Sequence, residues 1–176
     1  MKKISIYGLF LGLLFTSCAT VIPNLDTRLP EFVFLVRGDG ISEQLDEDFD
    51  FDNTVLYLKR GDTYTVNYTG SDAGGVRQIM LEMPQHQAFA NPSLISGNDW
   101  FFASTSSSAV TLLWEGRRTE PTRGSTVVWE FGAIGLTSDN VDEVEFIFTV
   151  IDFHDNTIRK TLTIRIYNQD PQLAPR

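Results

Sequence analysis

The chain has 176 residues, 42% of them hydrophobic, with 13 phenylalanines and a formal net charge of −9. Such apolar and aromatic content excludes an intrinsically disordered chain, and the length suits one domain with a real core. The acidic balance excludes nucleic acid or an anionic lipid surface as the main partner.

Residues 1–17 read as an export signal. Lys2 and Lys3 give a positive start, Ile4 to Phe15 is a run of apolar and small residues, and Thr16-Ser17 leads into Cys18. That run rises only about 18 Å as a helix, short of a bilayer core of roughly 30 Å, so it targets rather than spans. Cys18 is the only cysteine, which rules out an intramolecular disulfide. The ending Leu14-Phe15-Thr16-Ser17-Cys18 resembles a bacterial lipobox, with Phe15 where leucine is commoner, as in Bacteroidota-type lipoprotein precursors. The resemblance implies cleavage before Cys18, lipidation of Cys18, and a lipid anchor in the cell envelope, at the outer membrane. Two or more acyl chains hold a protein stably where one does not. Once lipidated, Cys18 leaves no thiol for catalysis or metal ligation. Ala19-Thr20-Val21-Ile22 lacks the acidic signal that sends some such lipoproteins to the cell surface, so the membrane face stays open.

Residues 18–30 contain Pro23 and Pro30 and hold no period, as expected of a tether. From 31 to 168 apolar residues recur at every second position: Phe32, Phe34 and Val36; Tyr64, Val66 and Tyr68; Ile79, Leu81 and Met83; Val110, Leu112 and Trp114; Val127, Trp129 and Phe131; Val144, Phe146, Phe148 and Val150; Leu162, Ile164 and Ile166. β-Branched and aromatic residues on one face with polar ones opposite predict half-buried strands. Gly- and Asp-rich turns separate them, so about 7–9 antiparallel strands are expected. The segments 84–108 and 115–125 break the pattern and are expected as loops, and 169–176 as a loose tail. Tyr64 to Met83, and Phe146 to Ile166 with Asp152, Asp155 and Asn156 at its turn, resemble strand pairs of bacterial Ig-like domains. The resemblance covers 31–168 and implies an all-β, antiparallel Ig-like β-sandwich. No Cys…Trp…Cys pattern places it in the antibody-type subfamily.

The run Asp46-Glu47-Asp48-Phe49-Asp50-Phe51-Asp52-Asn53 sets carboxylates at alternate positions. Ca²⁺ takes six to eight oxygens, which makes Asp46, Asp48 and Asp50 candidate ligands. An EF-hand is excluded, because the sixth and twelfth places from Asp46 hold Phe51 and Tyr57. The alternative is an edge strand that buries Phe49 and Phe51 and turns its carboxylates to water. Asp72, Asp152 and Asp155, at turns, could share a structural Ca²⁺; no other cofactor is indicated. Trp114 and Trp129 are in phase with core positions, whereas Trp100 follows a polar turn and is the candidate for stacking on a glycan. His86 and His154 stand in no zinc motif, and neither a nucleophile elbow nor a phosphate-binding loop is present. These features point away from an enzyme and toward a non-catalytic binding or assembly domain that docks a protein partner at the membrane. A glycan-binding accessory lipoprotein is the second expectation, and a small hydrolase the third.

Overall fold

Period-two alternation leaves each segment one apolar face, and two such sheets must close on each other to bury it. The structure, a computed structural model, describes residues 20–104, 106–137 and 141–176. Cys18 and the leader lie outside the described residues. Among those residues the strands are β1 (Glu31–Gly38), β2 (Ile41–Asp46), β3 (Thr54–Lys59), β4 (Thr63–Ser71), β5 (Val76–Met83), β6 (Phe89–Ser96), β7 (Phe101–Ser104), β8 (Val110–Glu115), β9 (Gly124–Ala133), β10 (Val141–Asp152), β11 (Thr157–Tyr167) and β12 (Gln172–Pro175). A 3₁₀ turn, His86–Ala88, precedes β6.

Five strands form one sheet in the order β2-β1-β4-β9-β6, and seven form the other, β12-β3-β11-β10-β5-β8-β7. Neighbours are antiparallel except β3 and β11, which run parallel. The block β1-β4-β9-β6 facing β11-β10-β5 reproduces the ABED and GFC sheets of the immunoglobulin sandwich. The expected Ig-like β-sandwich is therefore the observed fold, enlarged by the β7–β8 hairpin on the free side of β5 and by β12 beyond β3.

Phe146 and Phe148 of β10 fill the centre. The Phe148 ring lies 5.3 Å from Phe32, 4.8 Å from Phe34 and 5.5 Å from Tyr68. Phe146 packs on Phe89 at 4.9 Å, Phe131 at 5.8 Å and Trp129 at 5.9 Å. These contacts join β10 of the larger sheet to β1, β4, β6 and β9 of the smaller. Tyr68, wholly buried, donates its hydroxyl to the Met80 carbonyl at 3.1 Å, so even the polar end of this layer is satisfied across the sheets.

At the end remote from the β4–β5 turn, Arg60 locks the β9–β10 loop. Its guanidinium meets Asp142 Oδ2 at 2.6 Å and donates to the carbonyls of Ile134 and Thr137, each at 2.7 Å. Thr137 donates its hydroxyl and amide to Asp142 Oδ1 at 2.9 and 3.2 Å. Burial pushes the Asp142 carboxyl up, but the Arg60 and Thr137 hydrogen bonds outweigh it and hold the group below the ordinary carboxylate value. Gly135 sits at φ 78°, and a Cβ there would collide with both Arg60 and Asp142.

Four expectations change. The strands number twelve among the described residues, not seven to nine. The segment 169–176 is not loose, because β12 pairs with β3 and the Arg176 amide donates to the Asn53 carbonyl at 2.7 Å. The segment 84–108 holds β6 and β7, both edge strands whose apolar residues do not alternate with polar ones, which hid them from periodicity. Residues 47–53 are a turn rather than an edge strand, though Phe51 is buried as expected. The 115–125 segment is irregular as far as Thr122, with one bridge between Arg117 and Glu120.

Phe148→Ala should cost about 3–5 kcal/mol in urea unfolding, with a β-type far-UV spectrum kept at low denaturant. The Asp142 carboxylate stabilises the fold above its unfolded-state value of about 3.9, and this contribution is lost as pH falls through its lower folded value. Asp142→Asn should therefore flatten the loss of stability as pH falls below about 4, read from urea midpoints.

Candidate functional site

Strand direction brings the β4–β5 turn, the β10–β11 turn and the 20–30 segment to one end of the sandwich. Asp26, Asp72 and Asp152 meet there, with carboxylate oxygens within 4.8 Å of one another. Asp152 is 1% exposed and organises its hairpin: Oδ1 accepts the amides of His154 and Asn156, both at 2.8 Å, and Oδ2 accepts Asn156 Nδ2 at 2.7 Å. The same Asn156 amide donates to the Asp26 carbonyl at 3.0 Å, which ties the tether to the turn. Asp72 accepts the Gly74 amide at 2.7 Å. Burial raises the Asp72 carboxyl, the charges of Asp26 and Asp152 add to the rise, and the amide bond from Gly74 opposes it. Gly74 is required for this docking: a Cβ there would lie 2.7 Å from Asp26 Oδ2 and 2.8 Å from the Pro23 ring.

Of the candidate ligands, Asp72 and Asp152 come together, and Asp26 completes the group. Asp26 sits in a segment without period, so no sequence signal marked it. Three carboxylates supply part of the six to eight oxygens that Ca²⁺ takes. The other candidates serve local structure. Asp155 lies at φ 68°, is largely exposed and pairs with Arg77. Asp46 accepts the Asp48 amide at 3.2 Å, and Asp50 accepts the amide and side chain of Asn53, so both shape the β2–β3 turn. The carboxylate of Asp48, in the same turn, joins none of these bonds and lines a shallow surface hollow with Arg159 and Lys160.

Trp100 is not the exposed ring expected of a glycan platform. It is 5% exposed, packs edge-on to Tyr68 at 6.0 Å and donates its indole N–H to Ser125 Oγ at 2.7 Å. Trp114 and Trp129 are 7% and 0% exposed. The turn before Trp100 places the ring inward, where its apolar body covers the open side of the core.

The outer face of the seven-stranded sheet divides in two. Over β3 and β11 it is polar: Arg165 binds Glu143 at 2.9 Å, donates to the Tyr57 hydroxyl at 2.9 Å and lies 5.8 Å from that ring, and Arg176 reaches Glu143 at 3.6 Å. Over β7, β8 and β5 one apolar row crosses it, between the pair Glu82–Thr111 on one side and the pair Gln78–Glu115 on the other. Phe101 stands opposite Leu113, Leu113 opposite Met80, and Met80 opposite Thr149 of β10. Ile147 and Ile151 flank Thr149 on the same face. Phe101 is 46% exposed, and Met80, Leu113, Ile147 and Ile151 are half-buried, with no element above them among the described residues. A one-sided antiparallel sheet ordinarily turns polar residues to water, as β4 does on the other sheet with Thr63, Thr65, Asn67 and Thr69. The period-two reading missed this stripe. Its signal was three unbroken apolar triplets, Ile79-Met80-Leu81, Leu112-Leu113-Trp114 and Phe146-Ile147-Phe148.

No family model and no curated protein matches the sequence. Among solved structures the chain is similar to the major pilin subunit of Bacillus cereus, with TM-score 0.47 and 9% identity over 80% of this chain and 40% of that one. It is also similar to the Enterococcus faecalis MSCRAMM ACE, titled as binding its ligands by the collagen hug model, with TM-score 0.42 and 10% identity over 84% of this chain and 62% of that one. A third is a non-cellulosomal cohesin from Archaeoglobus fulgidus, with TM-score 0.35 and 14% identity over 66% of this chain and 93% of that one. This chain thus spans 40% of the pilin subunit's length. At such TM-scores and identities these likenesses carry no statement about what it binds.

Asp152→Ala should cost on the order of 2–4 kcal/mol in urea unfolding, since it strands two backbone amides and the Asn156 side chain. Asp72→Asn keeps an acceptor for the Gly74 amide and removes one of three crowded charges, so at neutral pH it should raise the unfolding midpoint. Millimolar Ca²⁺ that lifts wild type above Asp72→Asn would show that the three carboxylates hold a cation.

Proposed function

We propose that this chain is a cell-envelope lipoprotein, anchored through a lipidated Cys18, whose Ig-like sandwich is a non-catalytic docking module for a protein partner. The observation that carries the docking part is the stripe Phe101–Leu113–Met80, extended by Ile147 and Ile151, on the outer face of the seven-stranded sheet. Apolar area left in water costs roughly 25 cal/mol per Å² relative to burial, and a contiguous patch of it marks a contact surface. The stripe lies on rigid strands, so a partner meets it pre-formed. The anchor rests on the leader: a positive start, a short apolar run and small residues before a lone cysteine. Glycan capture has no support from the tryptophans, since none offers an open ring face.

Cys18→Ala should shift the chain from the membrane to the soluble fraction; unchanged membrane association sinks the anchor. A photo-crosslinker at Leu113 should capture a partner in cells where one at Thr65, on the outer face of the other sheet, does not. Leu113→Glu should abolish that capture while changing the unfolding free energy by less than about 1 kcal/mol. Equal capture at both positions would remove the docking face.

A further inference from the structure

We infer that the occupant of this face is an amphipathic α-helix carrying basic residues beside its apolar stripe; the inference rests on the docking reading above. The apolar line runs across the strands, not along them. From Phe101 on β7 through Leu113 on β8 to Met80 on β5 it crosses two inter-strand steps, about 10 Å at roughly 4.8 Å each, and Ile147 and Ile151 on β10 continue it. A helix repeats its apolar face about every 5.4 Å, so successive turns fall near successive strands. An added β-strand would instead pair with the β7 edge and leave the stripe uncovered. At β7 the sheet ends, so a helix of any length overhangs there without a clash.

Charge fixes the flanks. A groove of about 440 Å³ borders the stripe at Phe101 and is lined by Asp99, Glu115 and Glu120 against the single cation Arg117. Glu115 and Glu120 are exposed, and Glu115 makes only a 3.4 Å contact with Gln78. The charges farther along the face are already paired, Glu82 with Arg159 at 2.9 Å and Arg77 with Asp155. The side of the helix that faces this groove therefore carries Lys or Arg.

Four synthetic eighteen-residue peptides test the inference against the full chain carrying Cys18→Ala: a leucine/lysine amphipathic helix, the same peptide with a central proline pair, a leucine/glutamate helix, and an alternating valine/lysine strand former. The leucine/lysine helix should bind saturably and shift the NMR methyl signals of Met80, Leu113 and Ile147. The other three should bind at least about tenfold more weakly. Leu113→Glu should weaken the leucine/lysine helix by about tenfold although it adds negative charge, and Glu115→Lys should weaken it as well. Tighter binding to Leu113→Glu would show mere charge attraction and overturn the inference. So would equal binding of the proline-broken or glutamate peptide, or preference for the strand former. In-cell crosslinks at Leu113 to a second copy of the chain would replace the helix with a dimer. Crosslinks to a partner with no binding of the leucine/lysine helix would sink the helix alone and leave the docking face standing.

Discussion

Everything in this molecule depends on the contact of two adjacent inward positions of β10 with four strands of the opposite sheet. Phe146 and Phe148 each touch several rings that come from residues far away in sequence: Phe32 and Phe34 on β1, Tyr68 on β4, Phe89 on β6, Trp129 and Phe131 on β9. Burial of such side chains is worth about 1.5–3 kcal/mol each, and the tilted and edge-on ring pairs add to it. A one-residue slip of β10 would turn both rings to solvent and bring Ile147 and Thr149 inward. The register of the sandwich, and with it the order of residues on the outer face, is thus set from the inside.

That dependence explains how the sheet can tolerate an apolar outer stripe. With the core fixing register, the outward residues of β5, β8 and β10 contribute little to choosing the fold. The half over β3 and β11 uses the same positions for Arg165, Glu143 and Tyr57, whose mutual contacts keep them ordered and wet. The half over β5, β8 and β7 sets Met80, Leu113 and Phe101 in one row between polar neighbours, and those side chains gain nothing from water. Stability alone would favour threonine or asparagine there, as on the β4 face. The difference between halves of one sheet, under one set of backbone constraints, is what points to a partner.

The fold was legible because alternation is a local signal. Strands β1, β4, β9, β10 and β11 announce themselves in their own residues, and two-sheet closure follows from them. What alternation could not show was anything decided by distant neighbours. β12 forms because β3 offers a free edge, and β6 because β9 does; neither sequence alternates apolar residues. Asp72 and Asp152 were legible as turn aspartates, but their meeting with Asp26 needs the tether laid over Gly74. Trp100 was read outward from the polar turn before it, whereas the open side of the core between β6 and β7 demanded a large apolar plug. The outer stripe lay in plain view as unbroken apolar triplets, which an alternation template counts as matches on every second residue and passes over.

The two candidate sites differ in what they ask of the backbone, and this separates their roles. The three carboxylates belong to turns and to a docked segment, held by Asx-type bonds around Asp72 and Asp152 and by one bond from Asn156 to Asp26. Their mutual repulsion opposes the docking that gathers them, so the tether sits where a change of charge is felt most. The stripe belongs to strands whose register the core enforces, and no titrating group lies in its line. On the proposed anchor, the first site fixes how the sandwich leaves the membrane and the second what it meets. The stripe stands on a sheet face rather than at the tether end, and for that reason a partner can reach it without displacing residues 20–30. Attachment and recognition are physically independent in such a layout.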